Sequence, residues 1–520
     1  MKLWKTIGAA ALAAALLAGC AGGGSGADAE PPSRVYYEIF VRSFYDTNGD
    51  GVGDLNGVTE KLDYLETLGA EGIWLMPINA SPSYHGYDVT DYYAVNPDYG
   101  TLDDMKRLLS EAGKRDIKVL MDLVVNHTSV QHPWFLASAQ GSESEKRDWY
   151  VWADPETNAN DLSATGSGKA WHANDGGHYL GVFWDGMPDL NFDNPAVREE
   201  MKKIGSYWLE LGVDGFRLDA AKHIYENVQA DANHSEKAEA NVAWWQEFRA
   251  AMEETNPDVT LIGEVWDAPA VVAPYFDGAM SSAFNFELAS QLLSMTGTGS
   301  SANVASRLER IYGLYEEASG GAFTDSIFLA NHDQNRVMTV LNGDEGKARA
   351  AAALLLTLPG NPFLYYGEEI GMRGAKPDEY IREPIPWTVD RTAPGNASWM
   401  IPKHNGGEAA SVEEAMADDA SLFHHYRRLI EYRKKDAALR GGALRSLKVG
   451  GGLESFLRET EDGDASLVLH NVTANELSVD LAETEEAKPF DSLAFATSAD
   501  ASLEGAVAKL PPYSVMILKK

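Results

Sequence analysis

The sequence predicts an α/β protein built on a (β/α)8 barrel, with one domain inserted after strand 3 and a C-terminal antiparallel β-sandwich domain. Three observations lead there. From Arg34 onward, short apolar runs alternate with segments of helical period; one long polar stretch breaks the alternation after the third run; and period-two patterning takes over past about Gly441. A doubly wound open sheet is the alternative arrangement of the same alternation.

The candidate strands are 35–40, 72–76, 117–125, 215–218, 260–263, 282–284, 327–330 and 363–366, the sixth being the weakest. Between them, Val58, Leu62 and Leu65 fall at helical spacing. So do Val197, Met201, Ile204, Trp208 and Leu211, behind an Asn194-Pro195 start that suits a cap and a first turn. Thr101 and Asp104 have the spacing of a capping box. Residues 127–190 are rich in Trp, Asn, Asp, Gly and Ser without helical period, so they are expected to form the inserted domain, over the site. Residues 34–126 and 191–438 then make the barrel. Residues 439–520 make the β domain, with an Asp462-Gly463 turn between two strands and a last strand near 513–518.

The chain of 520 residues is 44% hydrophobic and 23% charged, an ordinary globular composition. Its 43 Lys and Arg against 78 Asp and Glu leave a formal charge of −35, which repels nucleic acid and leaves a neutral ligand open. The start reads as a secretory signal, residues 1–19: Lys2 and Lys5 precede an Ala/Leu-rich run shorter than the roughly 20 apolar residues of a membrane span. Leu17-Ala18-Gly19-Cys20 resembles a bacterial lipobox, so Cys20 is expected to be diacylated. Residues 20–33 would be a flexible tether, leaving the lipid anchor as the only membrane contact. Cys20 is the single cysteine, which excludes intrachain disulfides. A monomer is expected.

Acidic residues recur in or just past the predicted strands: Asp122, Asp219, Glu264 and Asp333, with His127, His223 and His332 beside three of them. In a barrel the strand ends converge on one rim. Carboxyls crowded there repel one another and lose water, so at least one holds its proton near neutrality. A carboxylate nucleophile and a carboxylic acid are the minimal equipment for opening an acetal through an oxocarbenium-like state. Gly166-Ser167-Gly168-Lys169 only superficially resembles a phosphate loop, because Ser163 replaces the first glycine and Ala170 the Ser/Thr.

These residues carry a family resemblance. Asp122–His127, Gly215–His223, Gly263–Trp266 and Phe328–Asp333 resemble, in order, the four sequence regions of the α-amylase family, glycoside hydrolase family 13. Met187-Pro188-Asp189-Leu190-Asn191 resembles its fifth, at the end of its domain B. The resemblance implies a TIM-barrel retaining glycosidase of α-amylase type, acting on α-1,4-glucans such as starch and maltodextrins. Asp219 would be the nucleophile, Glu264 the general acid and later base, and Asp333 the third acid, hydrogen-bonding the sugar at the cleavage subsite. Arg217 would hold Asp219 ionised. His127 and His332 would bind hydroxyls of that sugar, with Tyr87 of His85-Gly86-Tyr87 as the platform beneath it. Asp378 and Arg382 would grip the neighbouring sugar. Lys222 and His223 are similar to the pair that α-amylases place on the leaving-glucan side. The fifth region lies between the oligo-1,6-glucosidase and neopullulanase patterns, so an α-glucosidase, a cyclomaltodextrinase or neopullulanase, a transglycosylase, or a non-catalytic starch-binding lipoprotein are the alternatives.

One metal, Ca2+, is expected. Asp46, Asn48, Asp50 and Asp54 stand at positions 1, 3, 5 and 9 of a loop with glycine at 6, and Val52 would add its carbonyl. Gly57 replaces the glutamate an EF-hand needs at position 12, so the expectation is a calcium loop of the kind found after the first strand in relatives within the family. A second site, implied by the resemblance alone, would use Asn126, Asp189 and the His223 carbonyl.

Overall fold

The computed structural model of the protein describes residues 33–407 and 409–520. The expected signal segment and Cys20 lie outside the described residues. Eight parallel strands close into a barrel: β1 (Tyr36–Ile39), β2 (Gly72–Leu75), β3 (Lys118–Leu123), β4 (Gly215–Leu218), β5 (Thr260–Gly263), β6 (Ser282–Phe284), β7 (Thr324–Phe328) and β8 (Asn361–Tyr365), each paired with its chain neighbours and β8 with β1.

The pleat explains why these runs are apolar on both faces. Tyr37 and Ile39 of β1, Ile73 and Leu75 of β2, and Val119 and Met121 of β3 pack outward in the large core beneath the helices. The alternate residues Tyr36, Trp74, Leu120, Ile262, Phe284, Phe328 and Phe363 form a separate apolar plug inside the barrel. On the same inward face, nearer the C-terminal rim, the strands carry Glu38, Asp122 and Arg217. Asp122 lies opposite Arg217 in the β3–β4 register, and Glu38 lies between Trp74 and Tyr365. A polar storey thus stands on an apolar floor.

Two expected boundaries differ. β7 begins at Thr324 and ends at Phe328, earlier than the apolar run 327–330, because Asp325 and Ser326 are buried strand residues. Asp325 accepts from Asn285 Nδ2 (2.8 Å) and Tyr312 Oη (2.9 Å), which satisfies its carboxylate inside the fold. The periodic segment at 58–65 is two helices, Leu55–Glu60 and Leu62–Leu68, meeting at Lys61. The Thr101/Asp104 capping box is present, and Asn194 caps the helix Pro195–Glu210 by accepting from Ala196 N.

Between β3 and that helix, the chain forms the short helix Pro133–Ser138 and a hairpin of Trp171–Asn174 with Gly177–Leu180. The bridge of His127 with Asp189 joins the two ends of this insertion, and that of Ser163 with Val228 stitches it to the segment after β4. At the C-terminus, a five-stranded antiparallel sheet faces a three-stranded one across a shared core that includes Leu457, Leu467, Met516, Val479 and Leu510, giving the expected sandwich. Arg458 fastens this domain to the barrel by donating to the Thr357 carbonyl at 2.8 Å, at the end of the helix Glu345–Thr357.

Candidate active site

Arg217 organises the rim. Its Nη1 donates to Asp122 Oδ1 at 2.9 Å and to Asp219 Oδ1 at 2.6 Å, and its Nη2 lies 2.8 Å from Glu264 Oε2; the side chain is 1% exposed. One buried guanidinium therefore holds carboxyls from the ends of β3, β4 and β5 together, with the geometry for which Arg is suited and Lys is not. Past Asp219 the chain turns sharply. Ala220 adopts a left-handed φ of 50°, a conformation that costs an alanine about 1–2 kcal/mol, and the turn aims its N–H at Glu264 Oε2 (3.0 Å). Among the described residues, Asp219 Oδ2 and Glu264 Oε1 accept no hydrogen bond, so each carboxyl has one held and one free oxygen.

Burial lifts the Asp219 and Glu264 carboxyls above the usual carboxylate range against the pull of Arg217, and the mutual repulsion of the acids adds to the lift on Glu264. Arg217 thus does not keep Asp219 at an ordinary carboxylate value, as its pairing alone suggests; desolvation is the larger effect. Asp122, deeper still, is pushed by burial to about 7. Asp333 behaves in the opposite way. Burial raises it, but His332, Arg382 and Arg217 outweigh burial and hold it well below the usual carboxylate range.

The other side of the rim is tightly cross-linked. Arg382 Nη2 donates to Asp333 Oδ1 (2.8 Å) and Asp378 Oδ2 (3.3 Å), and its Nε donates to the His332 carbonyl. His332 Nε2 lies 3.0 Å from Asp333 Oδ2 and 2.6 Å from the Tyr87 hydroxyl, which donates to Asp122 Oδ2. The Tyr87 ring lies near-parallel to those of His332 and His85, with centroids 5.6 and 6.2 Å away. The predicted residues Asp219, Glu264, Asp333, Arg217, Tyr87, His85, His332, Asp378 and Arg382 are therefore brought together. His127 is buried beside Phe183 with its Nε2 unpartnered, facing the inserted segment.

Lys222 and His223 line a cavity of about 330 Å3 with Thr165, Phe183, Glu264 and Trp266. Lys222 Nζ is tethered to the Trp266 carbonyl (3.1 Å) and to Asp267 (2.8 Å), so it reaches this wall already paired. Two contributors escaped the sequence reading. Trp266 is 49% exposed while its ring stacks on Phe286 at 4.3 Å. Glu38, a charged residue in an apolar strand, bonds His332 Nδ1 at 2.6 Å; its interruption of the β1 run was the available signal.

Among the described residues, no three His, Cys, Asp or Glu side chains converge as a metal cluster. In the loop after β1, Asp46, Asn48 and Asp50 accept backbone N–H groups from within the loop. These oxygen-only donors at alternate positions suit a hard cation. Asp54, the ninth position of the expected ligand set, also accepts hydrogen bonds, as Asp46 does. The Asp54 carboxylate accepts from Thr47 and, as the cap of the helix Leu55–Glu60, from Gly57 N at 2.7 Å. For the second expected site, Asn126 Nδ2 donates to Asp189 Oδ1 (3.2 Å), and the buried Asp189 has no cationic partner among the described residues. The His223 side chain lies edge-on to Phe183, with Nδ1 3.3 Å from the Glu226 carbonyl.

The comparisons fall where this geometry points. A sequence profile of the α-amylase catalytic domain matches residues 38–442, and one of the α-amylase SusG C-terminal domain matches residues 453–517. "Alpha-amylase 3" of Dictyoglomus thermophilum is 43% identical over 491 residues, covering 94% of this chain and 93% of its own. A 4-alpha-glucanotransferase of Thermotoga neapolitana is 33% identical over 85% of this chain and 96% of its own. The crystal structure of an α-amylase from H. orenii superposes with a TM-score of 0.86 at 43% identity, covering 94% of this chain and 99% of that one.

Proposed function

The chain belongs to the α-amylase family, glycoside hydrolase family 13, and on that premise we propose that it is a retaining glycosidase cleaving α-1,4-glucosidic bonds of starch, maltodextrins and related α-glucans. The observation that carries this reading is the single guanidinium of Arg217 shared between Asp219 and Glu264, each left with one free oxygen. Retention needs two carboxyls about 5 to 5.5 Å apart, one to attack and one to donate a proton. Asp219 Oδ2 attacks the anomeric carbon, while Glu264, whose hold on its proton burial and its acidic neighbours strengthen, gives that proton to the departing oxygen. Glu264 then takes a proton from the water that opens the glycosyl ester on Asp219. Asp333, ionised and held by Arg382 and His332, binds hydroxyls of the same sugar. Tyr87 provides its platform, and Asp378 with Arg382 holds the next sugar.

Transfer to a second sugar in place of water is the second reading. It is favoured by the exposed Trp266 ring beside Glu264 and by the glucanotransferase among the relatives. The test is the product profile on soluble starch with the anomers followed by NMR. Falling chain length with α-anomers released first supports hydrolysis with retention; inverted anomers, or starch bound with no reducing ends released, would sink the proposal.

Calcium, in this reading, is structural and is held by Asp46, Asn48, Asp50, Asp54 and the Val52 carbonyl. It would neutralise carboxylates that otherwise crowd one loop. The lipobox supports export and tethering at a membrane surface through Cys20.

A further inference from the structure

We propose that Glu38, on the first barrel strand, is a positioning residue for the cleavage: by accepting from His332 Nδ1–H it makes that imidazole a donor at both nitrogens without adding net charge beside the sugar. The proposal rests on the reading of Asp219 and Glu264 given above.

Glu38 and His332 are 1% and 0% exposed, and Glu38 Oε1 lies 2.6 Å from Nδ1. The opposite nitrogen, Nε2, also faces acceptors. Asp333 Oδ2 is 3.0 Å away. The Tyr87 oxygen is 2.6 Å away and accepts there when Tyr87 directs its one proton to an ionised Asp122 Oδ2 at 3.0 Å, while it receives Arg217 Nη1–H at 3.3 Å. A neutral imidazole donates at one nitrogen and would turn a lone pair toward a carboxylate or phenol oxygen at the other. In a buried site that repulsion is not relieved by water. An imidazolium satisfies all of these contacts, but alone it would place a positive charge next to an oxocarbenium-like transition state. Glu38 cancels it.

The groups facing His332 are Glu38 from β1, Asp333 beside it in sequence, and Tyr87, Asp122, Arg217 and Asp219 across the rim. Arg382 donates to its carbonyl at 2.9 Å, and Trp74 sits edge-on at 5.5 Å. Burial pulls the imidazole down, but Asp333 and Glu38 outweigh it and hold the ring protonated up to about 9.

The same hydrogen bonds could form with the proton on Glu38 and a neutral ring, and the two arrangements are separable. The Glu38→Gln side chain mimics a neutral acid. With a carboxylate in the native protein, this variant strips the counter-charge: kcat should fall at least tenfold with KM changed less than threefold, and the alkaline limb of kcat/KM should move down by a unit or more. Glu38→Asp, which keeps the charge, should retain the alkaline limb. A Glu38→Gln profile superposing on the native one overturns the proposal. Independently of any variant's folding, 15N NMR of the histidine-labelled native protein, with His332 assigned by its absence in His332→Asn, should show both ring nitrogens protonated at pH 7. A single protonated nitrogen overturns the proposal. The NMR result stands whether or not α-glucans are hydrolysed, so failure of the glycosidase reading is distinguishable from failure of this one.

Discussion

The two halves of the cleft are built differently. On the side of Asp333, the polar atoms are cross-linked: Arg382 joins Asp333 and Asp378, His332 joins Glu38, Asp333 and Tyr87, and Arg382, His332, Glu38 and Tyr87 are buried. On the side of Trp266, the cavity wall is an exposed indole, a tethered lysine and residues of the inserted segment. The first half is preorganised around one sugar ring, where charge develops and where misplacement costs most. The second half offers an apolar face with few fixed donors, suited to whichever sugar departs or arrives. Specificity for the glycone and tolerance toward the acceptor then follow from the same architecture.

The sharpest way to break this comparison is at the junction of the halves. Glu264→Gln removes the proton donor and keeps its shape, and should lower kcat on starch by about 10³ to 10⁴ while leaving starch binding intact. Loss of binding in parallel with turnover would show that Glu264 belongs to the recognition surface rather than to the chemistry. Next in size is Arg382→Ala, on the cross-linked side. It leaves the partly exposed carboxylate of Asp333 with His332 as its remaining direct ion-pair partner, so kcat/KM should drop about a hundredfold, with a lowered melting temperature. An effect confined to KM, with the melting temperature unchanged, would mean that this half is less preorganised than its hydrogen bonds imply.

Trp266→Ala probes the open side and should do less. Removing a stacking face worth about 0.5–1.5 kcal/mol should weaken kcat/KM on long maltodextrins by about three- to tenfold and spare short chromogenic substrates. It should also cut the ratio of transfer to hydrolysis, read from product chain lengths. Equal losses on both substrate classes would place Trp266 in the glycone machinery and erase the distinction.

Much of this division was legible in the sequence, for physical reasons that differ between residues. Asp219, Glu264 and Asp333 each follow an apolar run, so a barrel must bring them to one rim, and it does. Runs such as 215–218, 260–263 and 282–284 matched their strands because both faces of a barrel strand are buried and both must be apolar. What periodicity could not reveal were polar residues paid for by a partner distant in sequence. Glu38 meets His332 across 294 positions, and Asp122 meets Arg217 across 95, so neither bond has a local signature. Asp325 hid the start of β7 for the same reason. Trp266 stood at the end of the region Gly263–Trp266 with no role of its own, and its half-exposed ring stacked on Phe286 is visible only in the fold.

The smallest expected effect concerns the loop after β1, which braces the cross-linked half from outside. Asp46 N donates to the Gly395 carbonyl, and the Gly51 carbonyl accepts from Ser398 N at 2.7 Å. Trp399, next in the chain, stacks on Tyr84, whose ring lies 6.0 Å from the Arg382 guanidinium. Gly51 has a φ of 91°, and a Cβ there would lie 2.9 Å from Ser398 Oγ, so the approach is close. If calcium holds Asp46, Asn48, Asp50 and Asp54 together, chelation releases their repulsion into this brace and not into the Trp266 wall. Treatment with EGTA should lower the melting temperature by several degrees and raise KM on starch modestly, and added Ca2+ should restore both. The effect of Trp266→Ala on chain-length preference should be the same with and without chelator. An unchanged melting curve, with no calcium by elemental analysis, would leave the loop held by its own N–H bonds and by the Asp54 cap alone.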